Sequence, residues 1–222
     1  MNCRKDEYKY MCKVTDDLTE TQFTEKDYED GCIMNKNKLA TLNFTPMWDA
    51  ANVLRAGRDI LYLHSNTGNY AGAEQLQKLL GPNFNVHIIS DVYSYSHLDS
   101  TIALLKPGTA LINPSRIKNK DVLPYGMRNW DLIECPEPIE MDYTGTEAMM
   151  SQWTGMNCVS LDEDTVVVQA TQTNLINVLE TKGFTVIPIH MRHQRSLSGG
   201  PHCCTVELER DYELEYTFDN KN

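Results

Sequence analysis

The sequence predicts an α/β protein assembled from a repeated strand–turn–strand–helix–strand unit. Three observations carry that expectation. The same order of elements recurs along the chain. Its hairpin turns, at Gly57, Gly108 and Asp162, fall 51 and 54 residues apart, one supersecondary unit per period. Glycines at 81 and 183 end the two clear helical patterns.

Residues 1–38, with the run TDDLTETQFTEKDYEDG, are polar and acidic and show no sustained period, so they read as an irregular arm. The repeat domain occupies 39–210. Residues 51–54 and 60–64 are short β-prone runs around the turn Ala56-Gly57. YAGAEQLQKLL sets Ala73, Leu76, Leu79 and Leu80 on one helical face before Gly81-Pro82, and 86–89 is the next strand. The second unit has strands at 102–105 and 110–112 around Pro107-Gly108, a poorly defined helical stretch, and a strand at 131–134. The third has strands at 158–161 and 165–168, a helix at 174–181 with Leu175, Val178 and Leu179 inward, and a strand at 184–189. A last strand is expected at 203–208, before an acidic tail at 211–222.

With 222 residues the chain is long enough for a sizeable core. Its formal charge of −11 disfavours phosphate backbones and anionic lipid, so neither nucleic acid nor a membrane surface is the expected partner, whereas small cations are attracted. No apolar run approaches the roughly 20 residues of a membrane helix, and the start MNCRKDEYKYMCK has no apolar signal core. A soluble, cytoplasmic protein is the default reading. The seven cysteines, at 3, 12, 32, 135, 158, 203 and 204, are odd in number, irregularly spaced and without a CxxC pair. Neither a disulfide framework nor a metal site is suggested, and most are expected to be small buried hydrophobes.

Three polar clusters fall at equivalent ends of the units: Trp48-Asp49-Ala50-Ala51, Ser96-His97-Leu98-Asp99 and GGPHCCT at 199–205. Singly each has a plain structural reading. Asp49 suits a turn, His97 and Asp99 suit a local solvated pair, and a Cys after Gly-Gly-Pro suits a buried thiol. Together they supply a thiol, an imidazole and two carboxylates without sensible metal spacing. That inventory fits nucleophilic catalysis on a cationic substrate, because a carboxylate accepts the N–H donors of a guanidinium in a planar fork.

Five segments in order carry a resemblance: FTPMWDAANVLRAGRDILYLHS, NVHIIS, SHLDSTIALLKPGTALINPSRI, SQWTGMNCVSLDED and SLSGGPHCCT. DAANVLRAGRDI is close to D-A-A-D-x-x-R-x-G-R-D-I, and GGPHCCT to G-G-x-x-H-C-x-T, of the glycine amidinotransferase family. This family belongs to the guanidino-group-modifying enzymes, which also include arginine deiminases. The resemblance implies an α/β-propeller of five ββαβ modules, of which about three are countable here. The rest would precede residue 1 and would carry another guanidinium-binding acid that nothing in 1–38 matches.

The resemblance also implies roles. Cys203, directly after His202, is the nucleophile, and Cys204 holds a variable position. His97 and Asp49 match the other catalytic positions, and Asp99 the guanidinium-binding acid. Arg116 matches the arginine for the substrate's α-carboxylate, and Ser151 one of two substrate serines, the other position being Met150 here. Ser96 stands where the glycine-specific member has a bulkier residue, so the acceptor amine can differ from glycine. The implied activity is transfer of an amidino group from L-arginine to an acceptor amine such as glycine, with no cofactor. The alternatives are a deiminase-like hydrolase and a truncated guanidino-binding protein without activity. A homo-oligomer or a partner chain supplying the absent modules follows from the short length.

Overall fold

In the computed structural model, which describes residues 28–29, 32–33, 43, 45–92, 97–144, 150–208 and 218, the repeat is visible as three similar sheets. Before them a small antiparallel pair, β1 (Tyr28–Glu29) and β2 (Cys32–Ile33), lies in the arm expected to be irregular. The rest of that arm, Ser96, and the acidic tail apart from Phe218 lie outside the described residues.

The first sheet joins β3 (Val53–Ala56), β4 (Asp59–Leu63) and β5 (Asn85–Ile89), with α1 (Tyr70–Leu80) between the last two. The second joins β6 (Ile102–Lys106), β7 (Thr109–Ile112) and β8 (Asp131–Glu134). The third joins β9 (Val159–Ser160), β10 (Thr165–Gln169) and β11 (Thr185–Ile189), with α2 (Thr173–Thr181). In each, the hairpin is antiparallel and the strand after the crossover is parallel to its neighbour, as a ββαβ unit requires. The tight turns close on Gly57 and Gly108, at φ 61° and 74°, where a Cβ is disfavoured. In the second unit two 3₁₀ turns, Lys120–Val122 and Tyr125–Asn129, replace the helix, which is why its period was poor.

Strand alternation explains how the sheets stack. Leu61 and Leu63 of β4 share one core with Ala110 and Ile112 of β7. Leu111, on the opposite face of β7, shares the next core with Val166 and Val168 of β10 and with Leu175 and Leu179 of α2. The middle sheet is therefore covered on both sides, and its strands read as continuous apolar runs. Ile60 and Tyr62 on the other face of β4 pack beneath α1 through Ala73 and Leu76. The other face of the third sheet, bearing Leu161, Val167 and Ile187, is the least covered: Leu161 is 53% and Ile187 40% exposed.

Two expectations fail. Leu79 is 71% exposed rather than inward, because 100° per residue sets it about 120° around the helix from Ala73. The strand expected at 203–208 does not form: residues 201–204 are a turn, with Cys204 N–H donating to the Gly200 carbonyl and Thr205 N–H to that of His202. Among the described residues no helix is long and apolar enough to cross a membrane.

Candidate functional site

The described residues of all three polar clusters gather at one end of the sheets, the end where β4, β5 and β7 finish. Asp49 stands just before β3, whose start lies beside the end of β4. It caps a 3₁₀ turn, Ala50–Asn52, by accepting from Asn52 N–H at 3.1 Å. The segment that delivers it is clamped by the buried Asn69, which accepts from Met47 N–H at 3.0 Å and donates to the Thr45 carbonyl at 2.8 Å. The other carboxylate oxygen of Asp49 lies 3.7 Å from His97 Nε2, ion-pair distance for an imidazolium. Both side chains are more than a third exposed, so the pair is open to solvent. Leu98 N–H donates to the Ala51 carbonyl at 3.0 Å and fixes the 97–99 loop against the Asp49 turn.

Two residues beyond His97, Asp99 is 4% exposed. Its Oδ2 accepts from Cys203 Sγ at 3.0 Å and lies 3.3 Å from His202 Nδ1. Burial opposes ionisation of Asp99, but hydrogen bonds from His202, Cys203 and Asn157 outweigh it and hold the carboxyl below its ordinary range. Its Oδ1 is buried and has no hydrogen-bond partner among the described residues. A buried, ionised carboxylate with one oxygen unsatisfied is a poised acceptor for an N–H donor.

The cysteine pair projects from the turn at 201–204. Cys203 Sγ meets Asp99, while the space a Cβ on Gly199 would fill borders both residues, 3.3 Å from Cys203 Cβ and 3.6 Å from Cys204 Sγ. Although Cys203 reaches solvent, surrounding protein and the Asp99 charge push its thiol up to about 12. At rest this sulfur is a neutral thiol. Cys135 and Cys158 are buried, as most cysteines were expected to be.

Arg116 follows β7 and packs beside the same loop. Its Nη1 donates to the Ser100 carbonyl at 3.1 Å and to the Ser100 and Thr101 hydroxyls at 2.8 Å. Ser151 is exposed at the head of a 3₁₀ turn, Gln152–Met156, and is linked to the cluster through Asn157 at the other end of that turn. Sequence reasoning missed Asn157 and used His202 only as a marker for its neighbour. The glycine pair was the available signal, since glycines mark close approach, but which side chain approaches is a tertiary fact.

No family model matches the chain. It is 45% identical over 174 residues to an inosamine-phosphate amidinotransferase of Streptomyces glaucescens, covering 78% of this chain and 50% of the relative. It is 35% identical over 201 residues to an L-arginine:L-lysine amidinotransferase of Pseudomonas savastanoi pv. phaseolicola, covering 90% of this chain and 54% of that one. Among solved structures, the inosamine-phosphate amidinotransferase of Streptomyces griseus superposes with a TM-score of 0.76 at 43% identity, over 79% of this chain and 50% of its own. The chain thus spans about half the length of the curated relatives it matches.

Proposed function

The chain belongs to the amidinotransferase family, and from that premise we propose that it moves the amidino group of L-arginine to an acceptor amine through an amidino-cysteine at Cys203. The observation that carries this reading is the buried Asp99 carboxylate, one oxygen 3.0 Å from Cys203 Sγ and the other without a hydrogen-bond partner among the described residues. A guanidinium whose N–H groups fill that vacancy brings its carbon against the sulfur.

The resting thiol is disfavoured as a nucleophile by burial and by the Asp99 charge. A cation bound to Asp99 cancels that charge, so the substrate itself lowers the cost of forming the thiolate. His97, oriented by Asp49, takes the thiol proton as the sulfur bonds to the guanidinium carbon, and gives that proton to ornithine's amine as its C–N bond breaks. In the second half an acceptor amine gives a proton to His97 and bonds to the same carbon. The C–S bond breaks, and the departing sulfur takes the proton back from His97, which restores the resting thiol. Arg116 and Ser151 take the substrate's α-carboxylate and polar end. Arginine as donor agrees with the name of the Pseudomonas relative, and the names of the relatives attach different acceptors to the same chemistry.

Incubation with L-arginine, followed by mass spectrometry of intact protein and small molecules, tests this. Ornithine together with an amidino adduct on Cys203 is the expected result. Citrulline would make the chain a hydrolase, and absence of both products would leave a protein that only binds guanidino compounds.

A further inference from the structure

The residue that builds the Cys203 turn is Asn157, which is 1% exposed. Its Oδ1 accepts from two successive backbone donors, His202 N–H at 2.9 Å and Cys203 N–H at 3.3 Å. Because both must face an oxygen, the amide orientation is fixed, and Nδ2 is turned to the sulfur, 3.2 Å from Cys203 Sγ. The amide is held from behind: Asn157 N–H donates to the Thr154 carbonyl at 3.0 Å, and Thr154 in turn accepts from Gln194 Nε2 at 2.6 Å. Gly200 lies against it so closely that a Cβ would come 2.5 Å from Asn157 Oδ1 and 2.7 Å from Gln194 Nε2. Only glycine fits there without displacing the amide.

We infer that Asn157 is a positioning residue for the thiol: its oxygen sets the turn that presents Cys203, and its N–H stabilises the sulfur as it becomes a thiolate. The relevance to catalysis rests on the reading of Cys203 as nucleophile. Only an amide meets both demands. A carboxylate there would still accept from the two backbone N–H groups, but would set a second negative charge against a sulfur already facing Asp99. The groups that surround this thiol electrostatically are Asp99, His202 and Cys204, with the Asp49–His97 pair on the adjoining loop. Burial and Asp99 push the thiol up. The Gly200 backbone and the Asn157 amide are the hydrogen bonds that bring it down.

The test is the rate at which iodoacetamide alkylates Cys203 between pH 8 and 10.5, read by peptide mass in a Cys204→Ser background. In Asn157→Asp the rate should fall at least about threefold at every pH, the loss of thiolate fraction being partly offset by the greater nucleophilicity of a more basic sulfur. Gly200→Ala, which displaces the same amide from the other side, should shift it in the same direction. Loosening or unfolding acts with opposite sign, because it frees the thiol from burial and speeds alkylation. An unchanged or increased rate in both variants overturns the inference. Iodoacetamide needs no guanidino substrate, so slower alkylation in the variants beside a parent chain that never forms the amidino adduct would sink the catalytic reading alone.

Discussion

At Cys203 and Cys204 a single step of one residue along the backbone separates two thiols with different surroundings. The selection is made by the turn at 201–204, not by the alternation of a strand. The Cys203 sulfur lies 3.0 Å from Asp99 Oδ2 and 3.2 Å from Asn157 Nδ2. Cys203→Ala should abolish amidino labelling by arginine, and Cys204→Ala should leave it within about twofold of the parent, since only the first sulfur has the carboxylate beside it. Labelling that survives in Cys203→Ala and vanishes in Cys204→Ala reverses the assignment. Asp99 gives a sharper test because it acts in two directions. Its charge raises the thiol and, in the proposed function, holds the substrate. In Asp99→Asn the pH–rate profile for iodoacetamide should therefore move to lower pH, making the thiol faster toward a neutral reagent. Turnover of arginine should fall by about a hundredfold or more, as expected when a buried charge partner of a cation is removed. Parallel losses in both assays would mean that Asp99 merely supports the loop.

One element shows how a distant segment is tied to the stack. Phe218, 2% exposed, inserts between the first and second sheets at the end opposite the site. Its N–H donates to Asp59 Oδ2 at 2.8 Å, its carbonyl accepts from Gly126 N–H at 3.1 Å, and its ring lies 5.2 Å from that of Trp130. Phe218→Ala should lower stability by about 3–5 kcal/mol, read as a shift in urea midpoint without a change in slope. A loss under about 1 kcal/mol would show that the ring is not part of the core. Nothing in YTFDN announced this plug, because no local period marks a single inserted ring. The ββαβ order, by contrast, was legible, since each hairpin carries its own turn residues and each buried strand its own apolar run. Legibility failed where contacts across the chain decide. Residues 203–208 have a β-prone look, yet hydrogen bonds to Asn157, some 46 positions earlier, and to Asp99, 104 positions earlier, hold the start of that stretch as a turn. Asp49, His97, Asp99 and Cys203 were singled out by their place at equivalent ends of the repeat and by the motifs of the resemblance, whereas Asn157 is defined only by the turn it supports.

Across the whole molecule the stacking follows one rule. The face of β4 bearing Leu61 covers the face of β7 bearing Ala110, and the opposite face of β7 covers the face of β10 bearing Val166. By the same rule the face of the third sheet bearing Val167 should receive a further layer, yet Leu161 and Ile187 on it are 53% and 40% exposed. The outward face of the first sheet is covered by α1, while Val206 and Leu208, in the stretch that forms no strand, are exposed along with this face. Phe218 sits between the other two sheets and does not reach it. Exposed apolar side chains on a sheet favour association, while a formal charge of −11 opposes it at low ionic strength and less so when salt screens the surface. The isolated chain should therefore self-associate at micromolar concentration, more strongly as salt is raised. Sedimentation velocity at low and high salt checks this, with Leu161→Lys and Ile187→Lys together expected to restore the monomer. A chain that stays monomeric at every salt concentration and still turns over arginine would show that three layers suffice and that the open face needs no cover.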